Sequence, residues 1–369
     1  MKQKVLVTGA RGFIGLNLVQ QLHDQRDFEV IEVHRSSSHS EIERGLMTCD
    51  IVVHLAGANR PQRVQSFDED NVSYTRDLLT TLDQNSPKPL IFSSSTQASL
   101  DNPYGRSKSA CEQLINEYSR KTQVAVRILR LPNVFGKWSR PHYNSVVATF
   151  IHDTLRGENV RVVEPEKVLE LLYIDDLVEA LITDIRTRCS SALAPEMPTY
   201  RVTVQELFTL VSEIHTKRRI GQVLDVGSGL LRALYATYVS ALQPHDFTYP
   251  LSPKCDNRGS FVEILKTPSA GQFSSFVAKP GATRGSHFHH SKVEKFLVVA
   301  GTARFRFKQL NSKQQFETVV SAESPMIVES IPGWIHDVTN IGNHDVVVVV
   351  WANEVYREER PDTYVGATT

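Results

Sequence analysis

Short apolar runs rich in β-branched residues alternate with amphipathic stretches from Lys4 to about Ile220. The runs that predict strands are Val5–Val7, Glu29–Val33, Ile51–His54, Leu90–Ser93 and Val124–Leu129. Between them, Ile14–Leu22 and Ser107–Arg120 place apolar residues at helical spacing. Strands that alternate with helices predict an α/β domain with a doubly wound parallel sheet and right-handed crossovers. Such sheets often have a further strand where this chain has only Arg44–Cys49, so we expect an abbreviated strand there.

The pattern changes near Gln243-Pro244, and residues 249–253 read as a linker because they contain two prolines. Beyond it, helical spacing nearly vanishes. The strand-like pieces there are Phe261–Leu265, Gln272–Ala278, Phe296–Val299, Ala303–Phe307, Phe316–Val320 and Val346–Trp351. Short strands separated by turn residues predict an all-β sandwich or barrel. We therefore expect one domain over residues 1–246 and a second over residues 247–369.

The length and charge balance of the chain narrow the classes of function that it can have. A chain of 369 residues exceeds the usual size of one domain. Its 41 basic and 41 acidic residues balance, so no charged footprint indicates nucleic acid or a membrane surface as a partner. We expect a small-molecule enzyme with neither partner.

The cysteines and the apolar runs indicate a compartment. The four cysteines lie far apart and form no CxxC pair, which favours reduced thiols over a disulfide framework. The chain begins without the pattern of a signal peptide, and Val346–Trp351 is too short to span a bilayer. We expect a cytoplasmic protein.

Three glycines follow the first predicted strand, in the stretch Thr8-Gly9-Ala10-Arg11-Gly12-Phe13-Ile14-Gly15, where a predicted helix begins. Glycine lets the backbone turn tightly and approach a pyrophosphate, and the helix N-terminus supplies oriented N–H groups. The pattern predicts a Rossmann-like dinucleotide site formed by Gly9, Arg11, Gly12, Phe13, Ile14 and Gly15.

The second predicted strand ends on His34 and Arg35. NAD-specific sites place an acidic residue here to bind the ribose 2′-hydroxyl. His34, Arg35 and Arg11 offer cations instead, which suit a 2′-phosphate, and we expect NADPH. Glu32 is acidic, but strand alternation would point it away. The alternative is that the basic residues are simply solvated on a loop.

Tyr104 and Lys108 lie four positions apart at the start of a predicted helix, and hence on one helical face. In this arrangement the ammonium can lower the pKa of the phenol and hold a ribose, while the phenol donates its proton to a carbonyl. A serine at the end of the preceding strand can hydrogen-bond the substrate oxygen.

Joined to the glycine pattern, these residues resemble the extended short-chain dehydrogenase/reductase family, over roughly residues 3–240. The resemblance implies that Tyr104 is the acid/base, Lys108 its partner and Ser95 the third member, with Ser94 the alternative by one register. It also implies that Leu55 and Ala56, in the stretch His54-Leu55-Ala56-Gly57, contact the cofactor. Members of this family typically act on nucleotide-activated sugars.

Three histidines and a glutamate form a second pattern: His287, His289, Glu294 and His336. Histidines at i and i+2 on a strand point the same way, Glu294 can reach the same centre, and His336 would come from a distant strand. Such ligands suit Zn²⁺ or another first-row divalent ion. We expect a metal site, with zinc as the first choice.

The spacing from Gly281 to Gly301 is similar to the first motif of the cupin family, which implies a cupin barrel for the second domain. The second motif departs from the family, because Pro332 and Gly333 are adjacent where the family has one residue between them. This departure concerns the loop around His336.

A reductase fused to a cupin resembles bifunctional enzymes of bacterial capsular polysaccharide synthesis, through residues 54–61, 101–105 and 283–290. The resemblance implies C3 epimerisation of a UDP-2-acetamido-2,6-dideoxy-4-ketohexose by the cupin. NADPH-dependent reduction of C4 would then give a UDP-6-deoxy-N-acetyl-talosamine, on the route to N-acetyl-L-fucosamine. His290 and Lys295 are candidates for the epimerisation base, and we expect a homodimer.

Other hypotheses stay open. One is a 4-keto reductase whose cupin is only structural or dimerising. Another is a non-enzymatic NADP sensor, which predicts loss of the Tyr104/Lys108 pair that this chain keeps. A third is a nucleotide-sugar dehydratase, in which an acidic pair commonly follows the catalytic Ser/Thr; Thr96-Gln97 stands there instead.

Overall fold

The computed structural model describes residues 2–59, 67–191 and 194–367. Arg60 and Pro61, which belong to the stretch 54–61, lie outside the described residues. The chain forms two units: Met1–Val211 with Ala233–Ala241, and Ser212–Arg232 with Leu242–Thr369. Because the units interleave along the sequence, the single division at residue 247 stays a prediction.

The first unit is built on parallel strands covered by helices. Its strands are β1 (Gln3–Thr8), β2 (Phe28–Val33), β3 (Ile51–His54), β4 (Leu90–Ser95), β5 (Val126–Leu131), β6 (Asn133–Phe135), β7 (Val168–Tyr173) and β8 (Thr199–Thr203). The helices along the chain are α1 (Phe13–His23), α2 (His39–Thr48), α3 (Tyr74–Asn85), α4 (Pro103–Thr122), α5 (Val146–Arg156), α6 (Ile174–Thr187), α7 (Val204–Arg219) and α8 (Gly229–Ser240). A π-helical turn spans Asp68–Ser73, and 3₁₀ turns span Thr96–Ser99 and Pro244–Asp246.

The main sheet has the strand order β2-β1-β3-β4-β5, with every pair parallel. Val5, Leu6 and Val7 of β1 are completely buried, which is what a sheet covered on both faces requires. A smaller sheet follows the order β6-β7-β8. The predicted doubly wound α/β fold is confirmed.

The strand expected at Arg44–Cys49 is wrong, because these residues belong to α2 and its C-terminal cap. The local sequence starts a helix: the Ser38 side chain accepts from the Glu41 N–H, and the Glu41 carboxylate accepts from the Ser38 N–H. Such a reciprocal cap satisfies two backbone donors that a helix otherwise leaves unpaired.

The second unit is an antiparallel β structure. Its strands are β9 (Lys254–Asp256), β10 (Gly259–Thr267), β11 (Gly271–Ala278), β12 (Thr283–Phe288), β13 (Glu294–Ala300), β14 (Thr302–Gln309), β15 (Gln315–Ser321), β16 (Ile327–Glu329), β17 (Trp334–Asn340), β18 (Val346–Ala352) and β19 (Tyr364–Val365). They form two sheets, β16-β13-β18-β11-β10-β9 and β15-β14-β17-β12-β19. The predicted all-β second domain is confirmed, and the assignment of this barrel to the cupin family stays a prediction.

Alternating side chains from the two sheets fill the barrel core. Phe276 and Phe296 come from the first sheet, and Phe305 and Val338 from the second. This is the two-residue periodicity that the strand patterns predicted.

The structure also shows the character of the helices and the state of the cysteines. Within the described ranges, no helix combines the length and apolar character needed to cross a membrane. Cys49, Cys111, Cys189 and Cys255 are all free thiols, and the first three are buried.

Candidate active site and metal centre

A cleft of about 770 Å³ opens where β1, β2 and β3 end. Its lining includes most of the residues predicted to bind the cofactor: Gly9, Arg11, Gly12, His34, Arg35, Leu55 and Ala56. Phe13, Ile14 and Gly15 belong to the first turn of α1 and do not line this cleft. The carboxyl ends of parallel strands are where doubly wound sheets bind ligands.

The turn between β1 and α1 requires glycine. Gly9 has φ +68°, and a Cβ there would lie 2.8 Å from the Ala56 nitrogen. A Cβ on Gly15 would lie 2.2 Å from the Gly9 carbonyl oxygen. Gly12 caps α1 without a side chain, so first-turn amides are left for an anionic ligand.

The far end of the cleft carries both signs of charge. His34 and Arg35 line it, and the Ser36 hydroxyl lies 2.9 Å from His34 Nδ1. Glu69 and Asp70 line it as well, and the sequence analysis did not single them out. Basic and acidic side chains thus both line this end of the cleft.

Glu32 lies apart from the cleft lining. Its carboxylate is 3.5 Å from His23 Nε2, and both side chains are largely exposed. The acidic residue at this strand end therefore pairs with α1.

The structure brings Ser95 and Tyr104 together. Ser95 ends β4, and its hydroxyl hydrogen-bonds the Tyr104 phenol. Tyr104 stands in the first turn of α4, which begins there because Asn102 accepts from the Gly105 N–H and Pro103 occupies the first helical position. Ser95 is therefore the serine that contacts the phenol, and its role as the third member of the site stays a prediction.

Lys108 is buried next to the cleft. Its Nζ donates to the Ser93 carbonyl at 2.8 Å and lies 4.7 Å above the Phe92 ring. A Cβ on the cleft residue Gly57 would lie 3.4 Å from this Nζ. Burial lowers the pKa of Lys108 to about 8.

Tyr104 differs from the expectation that Lys108 would lower its pKa. Burial instead raises the pKa of the phenol, and the hydrogen bond with Ser95 only opposes that rise. The reason is that both groups are withdrawn from water, and burial disfavours the charged phenolate. The phenol is therefore held in its protonated form, which is the form that a proton donor needs.

Ser94 belongs to a different hydrogen-bond network, which includes Glu112 and Arg130. Its hydroxyl donates to Glu112, and Arg130 binds the same carboxylate through two bonds, at 3.0 Å and 2.7 Å. Burial alone would raise the pKa of Glu112, but the bonds from Arg130 and Ser94 outweigh it and lower the pKa. The network joins α4 to β4 and β5 beneath the Tyr104/Lys108 pair.

His54 links the strand ends. Its Nδ1 lies 2.7 Å from the Thr8 hydroxyl and its Nε2 lies 3.0 Å from the Thr75 hydroxyl. The Thr8 hydroxyl also accepts from the Ala56 N–H at 3.2 Å. Burial, with the nearby charge of Lys108, lowers the pKa of His54 to about 3, so the ring stays neutral.

Several supporting residues were not found from the sequence. Glu112 lies four positions beyond Lys108 on α4, and that spacing could have revealed a third polar residue on the same face. Asn71 accepts from the Ala58 N–H at 2.7 Å and donates to the Ser107 hydroxyl at 3.0 Å. No local pattern indicates this role, because the contacts join distant segments.

The four predicted metal ligands come together in the barrel. One ligand atom from each of His287, His289, Glu294 and His336 lies within 4.8 Å of the others. Glu294 Oε2 is 3.2 Å from His289 Nε2, 3.3 Å from His336 Nε2 and 3.9 Å from His287 Nε2. His287 and His336 meet because they are directly paired between β12 and β17.

The polarity of this group fits a cation. Burial alone would raise the pKa of Glu294, but polar contacts with the three histidine rings outweigh it and hold the pKa well below the usual range. Burial lowers the pKa of His336. Among the described residues, the Nε2 atoms of His287 and His336 are buried without a hydrogen-bond partner of good geometry. Neutral imidazoles around a carboxylate are a donor set that divalent first-row metals accept.

A cavity of about 390 Å³ adjoins the group and includes His287 and Glu294 in its lining. The base candidates proposed from the sequence do not line it. Lys295 pairs with Glu329 on the neighbouring strand, since alternation along β13 points it opposite to Glu294. The exposed His290 ring packs against Tyr364, with centroids 4.9 Å apart. Neither residue lines this cavity, and their role as the base stays a prediction.

A second group of potential ligands lies in the first unit. It consists of His142, His152, Asp153 and Glu158. Asp153 Oδ1 lies 3.0 Å from His142 Nε2 and 3.1 Å from His152 Nδ1, so the carboxylate satisfies both rings. Since His142 is exposed, mutual pairing accounts for this group.

Two family descriptions match the chain. The NAD dependent epimerase/dehydratase family matches residues 5–191. The polysaccharide biosynthesis C-terminal domain matches residues 254–364. The first match lies within the first unit and the second match within the second unit.

Full-length relatives combine the same two parts. The UDP-2-acetamido-2,6-beta-L-arabino-hexul-4-ose reductase of Pseudomonas aeruginosa is 44% identical over 363 residues, which cover 98% of each chain. The capsular polysaccharide assembling protein CapF from Staphylococcus aureus matches with a TM-score of 0.91 at 39% identity, over 98% of this chain and 99% of that one. A structure of CapF with the inhibitor 3-isopropenyl-tropolone matches with a TM-score of 0.85 at 35% identity, over 99% and 100%. The predicted likeness to fused capsular enzymes is confirmed.

The buried ammonium leads to a stability prediction. Lowering the pKa of Lys108 from 10.5 to about 8 means that its charge at pH 7 costs about 3 kcal/mol of folding free energy. Loss of the bond to the Ser93 carbonyl offsets about 1 kcal/mol. We therefore expect Lys108→Met to raise the free energy of unfolding at pH 7 by about 2 kcal/mol. Urea denaturation measures this change.

The pH dependence provides a check. Between pH 8 and 10.5 the unfolded chain binds more protons at Lys108 than the folded chain, so wild-type stability gains with rising pH and the advantage of Lys108→Met shrinks. The largely exposed Lys121 provides the control Lys121→Met, with a change below about 0.5 kcal/mol. A Lys108→Met chain no more stable than wild type at pH 7 would contradict the prediction.

Proposed function

Since the chain belongs to the NAD dependent epimerase/dehydratase family, we propose that it is a bifunctional enzyme of nucleotide-sugar metabolism. The barrel unit epimerises C3 of a UDP-2-acetamido-2,6-dideoxy-4-ketohexose. The first unit then reduces the C4 ketone with NADPH. The product is a UDP-6-deoxy-N-acetyl-talosamine, on the route to N-acetyl-L-fucosamine for surface polysaccharide.

The observation that carries the proposal is a buried, protonated Tyr104 phenol that shares one face of α4 with Lys108, whose ammonium lies next to a cleft formed at the glycine turn. The names of the relatives support it, because one is a reductase of a UDP-linked 4-keto amino sugar and others assemble capsular polysaccharide. A cytoplasmic location and a homodimer stay predictions.

Tyr104, Ser95 and Lys108 have different roles in the proposed reduction. When bound, NADPH supplies a hydride to the carbonyl carbon. The Tyr104 hydroxyl donates its proton to the C4 oxygen, and the Ser95 hydroxyl hydrogen-bonds the same oxygen. Lys108 lies one helical turn from Tyr104 on the same face of α4, and its buried ammonium supplies positive charge that would stabilise the phenolate left after proton transfer.

The barrel residues suit the epimerisation. A proton next to a ketone is acidic because the charge that remains is shared with oxygen, and a divalent metal, most readily zinc, supplies Lewis acidity when bound. His287, His289, Glu294 and His336 are the residues that would hold it. Arg258 and Arg284 line the adjoining cavity and offer positive charge for a diphosphate.

The choice of NADPH depends on Arg35 and His34. An arginine that binds a 2′-phosphate contributes about 1.5–3 kcal/mol, or about 10-fold to 100-fold in affinity. We expect Arg35→Ala to weaken NADPH binding at least 10-fold and to change NADH binding less than 2-fold. Fluorescence titration of both cofactors measures the effect, with Arg120→Ala on α4 as the control. Equal losses for NADH and NADPH would remove Arg35 as the selecting residue.

The reaction is tested with a UDP-4-keto-6-deoxy-N-acetylhexosamine and NADPH. We expect cofactor oxidation and, by NMR, a product inverted at C3 and reduced at C4. Tyr104→Phe should lower kcat at least 100-fold and leave the Kd for NADPH within 3-fold, because it removes the proton donor alone. Tyr249→Phe is the control. Absence of cofactor oxidation by the wild-type chain would overturn the proposal.

The epimerase activity has a separate test in D₂O. In the absence of NADPH, the wild-type chain should introduce deuterium at C3 of the substrate. His289→Ala should slow this exchange at least 100-fold because it removes a ligand from the centre, while His344→Ala, at an exposed position, should not. Exchange at the normal rate in His289→Ala would leave a reductase whose barrel is only structural.

A further inference from the structure

The end of the chain returns to the strand that carries the first histidine ligands. Strand β19 pairs with β12, placing Val365 opposite His287 and Tyr364 opposite Phe288. The Gly366 N–H donates to the Ser286 carbonyl at 3.0 Å. The segment is therefore part of the sheet that supports the proposed metal centre.

Asp362, just before β19, binds the turn that joins β12 to β13. Its carboxylate accepts from the backbone N–H groups of His290, Ser291 and Lys292 at 2.9, 2.9 and 2.8 Å. The Ser291 hydroxyl donates to the same carboxylate at 3.1 Å. These bonds hold the turn that separates the ligand His289 from the ligand Glu294 in sequence.

The backbone of Asp362 binds a ligand directly. Its carbonyl oxygen lies 2.5 Å from His289 Nδ1. A carbonyl can only accept, so the proton of a neutral His289 ring is on Nδ1 and the lone pair is on Nε2. That Nε2 is the atom directed at Glu294, and hence at the proposed metal position.

Asp362 adopts this conformation against a local preference. Its φ of +37° lies in the left-handed region that residues other than glycine rarely adopt. The carboxylate contacts on one side and the carbonyl contact on the other together compensate for the strain. The sequence gives no sign of this, because 70 positions separate Asp362 from Lys292.

We propose that Asp362 is a positioning residue of the metal centre, which fixes the tautomer of His289 and the turn between His289 and Glu294. This inference rests on the metal site of the proposed function. Hydrogen bonds to the second nitrogen of a histidine ligand typically change metal affinity 10-fold to 100-fold. Asp362 would supply that bond from a segment beyond the last strand of the barrel core.

The test measures zinc affinity of the full-length chain by competition with a chelator. We expect Asp362→Ala to weaken zinc binding 10-fold to 100-fold, because the unanchored carbonyl no longer holds His289. Asp362→Asn should lose less, since its amide oxygen can still accept from part of the turn. Glu359→Ala removes an exposed carboxylate from the same segment and should leave zinc affinity within 2-fold.

The tautomer provides a readout that a merely structural role would not move. In the zinc-free wild-type chain, ¹⁵N NMR of His289 should show the proton on Nδ1, and in Asp362→Asn both tautomers should be populated. Wild-type tautomer and zinc affinity in Asp362→Asn would overturn the proposal, even if Asp362→Ala failed to fold.

The two proposals fail in different ways. A wild-type chain that binds no divalent metal removes both the metal half of the proposed function and the role of Asp362. A wild-type chain that binds zinc, together with substituted chains that bind it within 2-fold, removes only the role of Asp362. NADPH binding by Asp362→Ala should equal that of wild type and serves as the check on the first unit.

Discussion

Burial of the Lys108 ammonium is the constraint around which the first unit is organised. The charge is stabilised by the Ser93 carbonyl and the face of the Phe92 ring, and burial still brings its pKa down to about 8. The strand ends around it are held by hydrogen bonds, in which the Ser93 hydroxyl donates to the His54 carbonyl and His54 connects Thr8 to the rest of the network. A group that costs folding free energy is thus kept one helical turn from Tyr104, on the same face of α4.

The barrel also buries a charged group, but this group is negative. Glu294 is an acid buried among imidazoles, and its pKa is held low by polar contacts with these rings, with Lys292 Nζ 3.7 Å away. Both sites bury a charged side chain that water would otherwise stabilise. In both, polar groups from neighbouring elements contact that charge in place of water. The two sites differ in how their residues are positioned. Strand pairing positions His287, Glu294 and His336, whereas Tyr104 and Lys108 are positioned by a capped helix start.

The errors of the sequence analysis have identifiable physical causes. Arg44–Cys49 was assigned to a strand by analogy with larger sheets, although the Ser38/Glu41 capping box was available as a helix signal. Lys295 was one of two candidates for the epimerisation base, but strand alternation directs it away from Glu294 and towards Glu329. The lowered pKa expected for Tyr104 ignored burial, which is a property of the folded chain and acts on both members of the pair.

The sequence by itself determined the order of the two folds, the glycine turn at Gly9, the four metal-type ligands and the Tyr104/Lys108 pair. These depend on local periodicity, on backbone freedom and on spacings within one element or one motif. Only the tertiary structure decided that Ser95 rather than Ser94 meets the phenol and that Glu112 is held by Arg130. Only the tertiary structure places the Asp362 carbonyl next to the His289 ring. Each of these contacts joins segments far apart in the chain, and hydrogen bonds and burial of that kind exist only after the strands have paired.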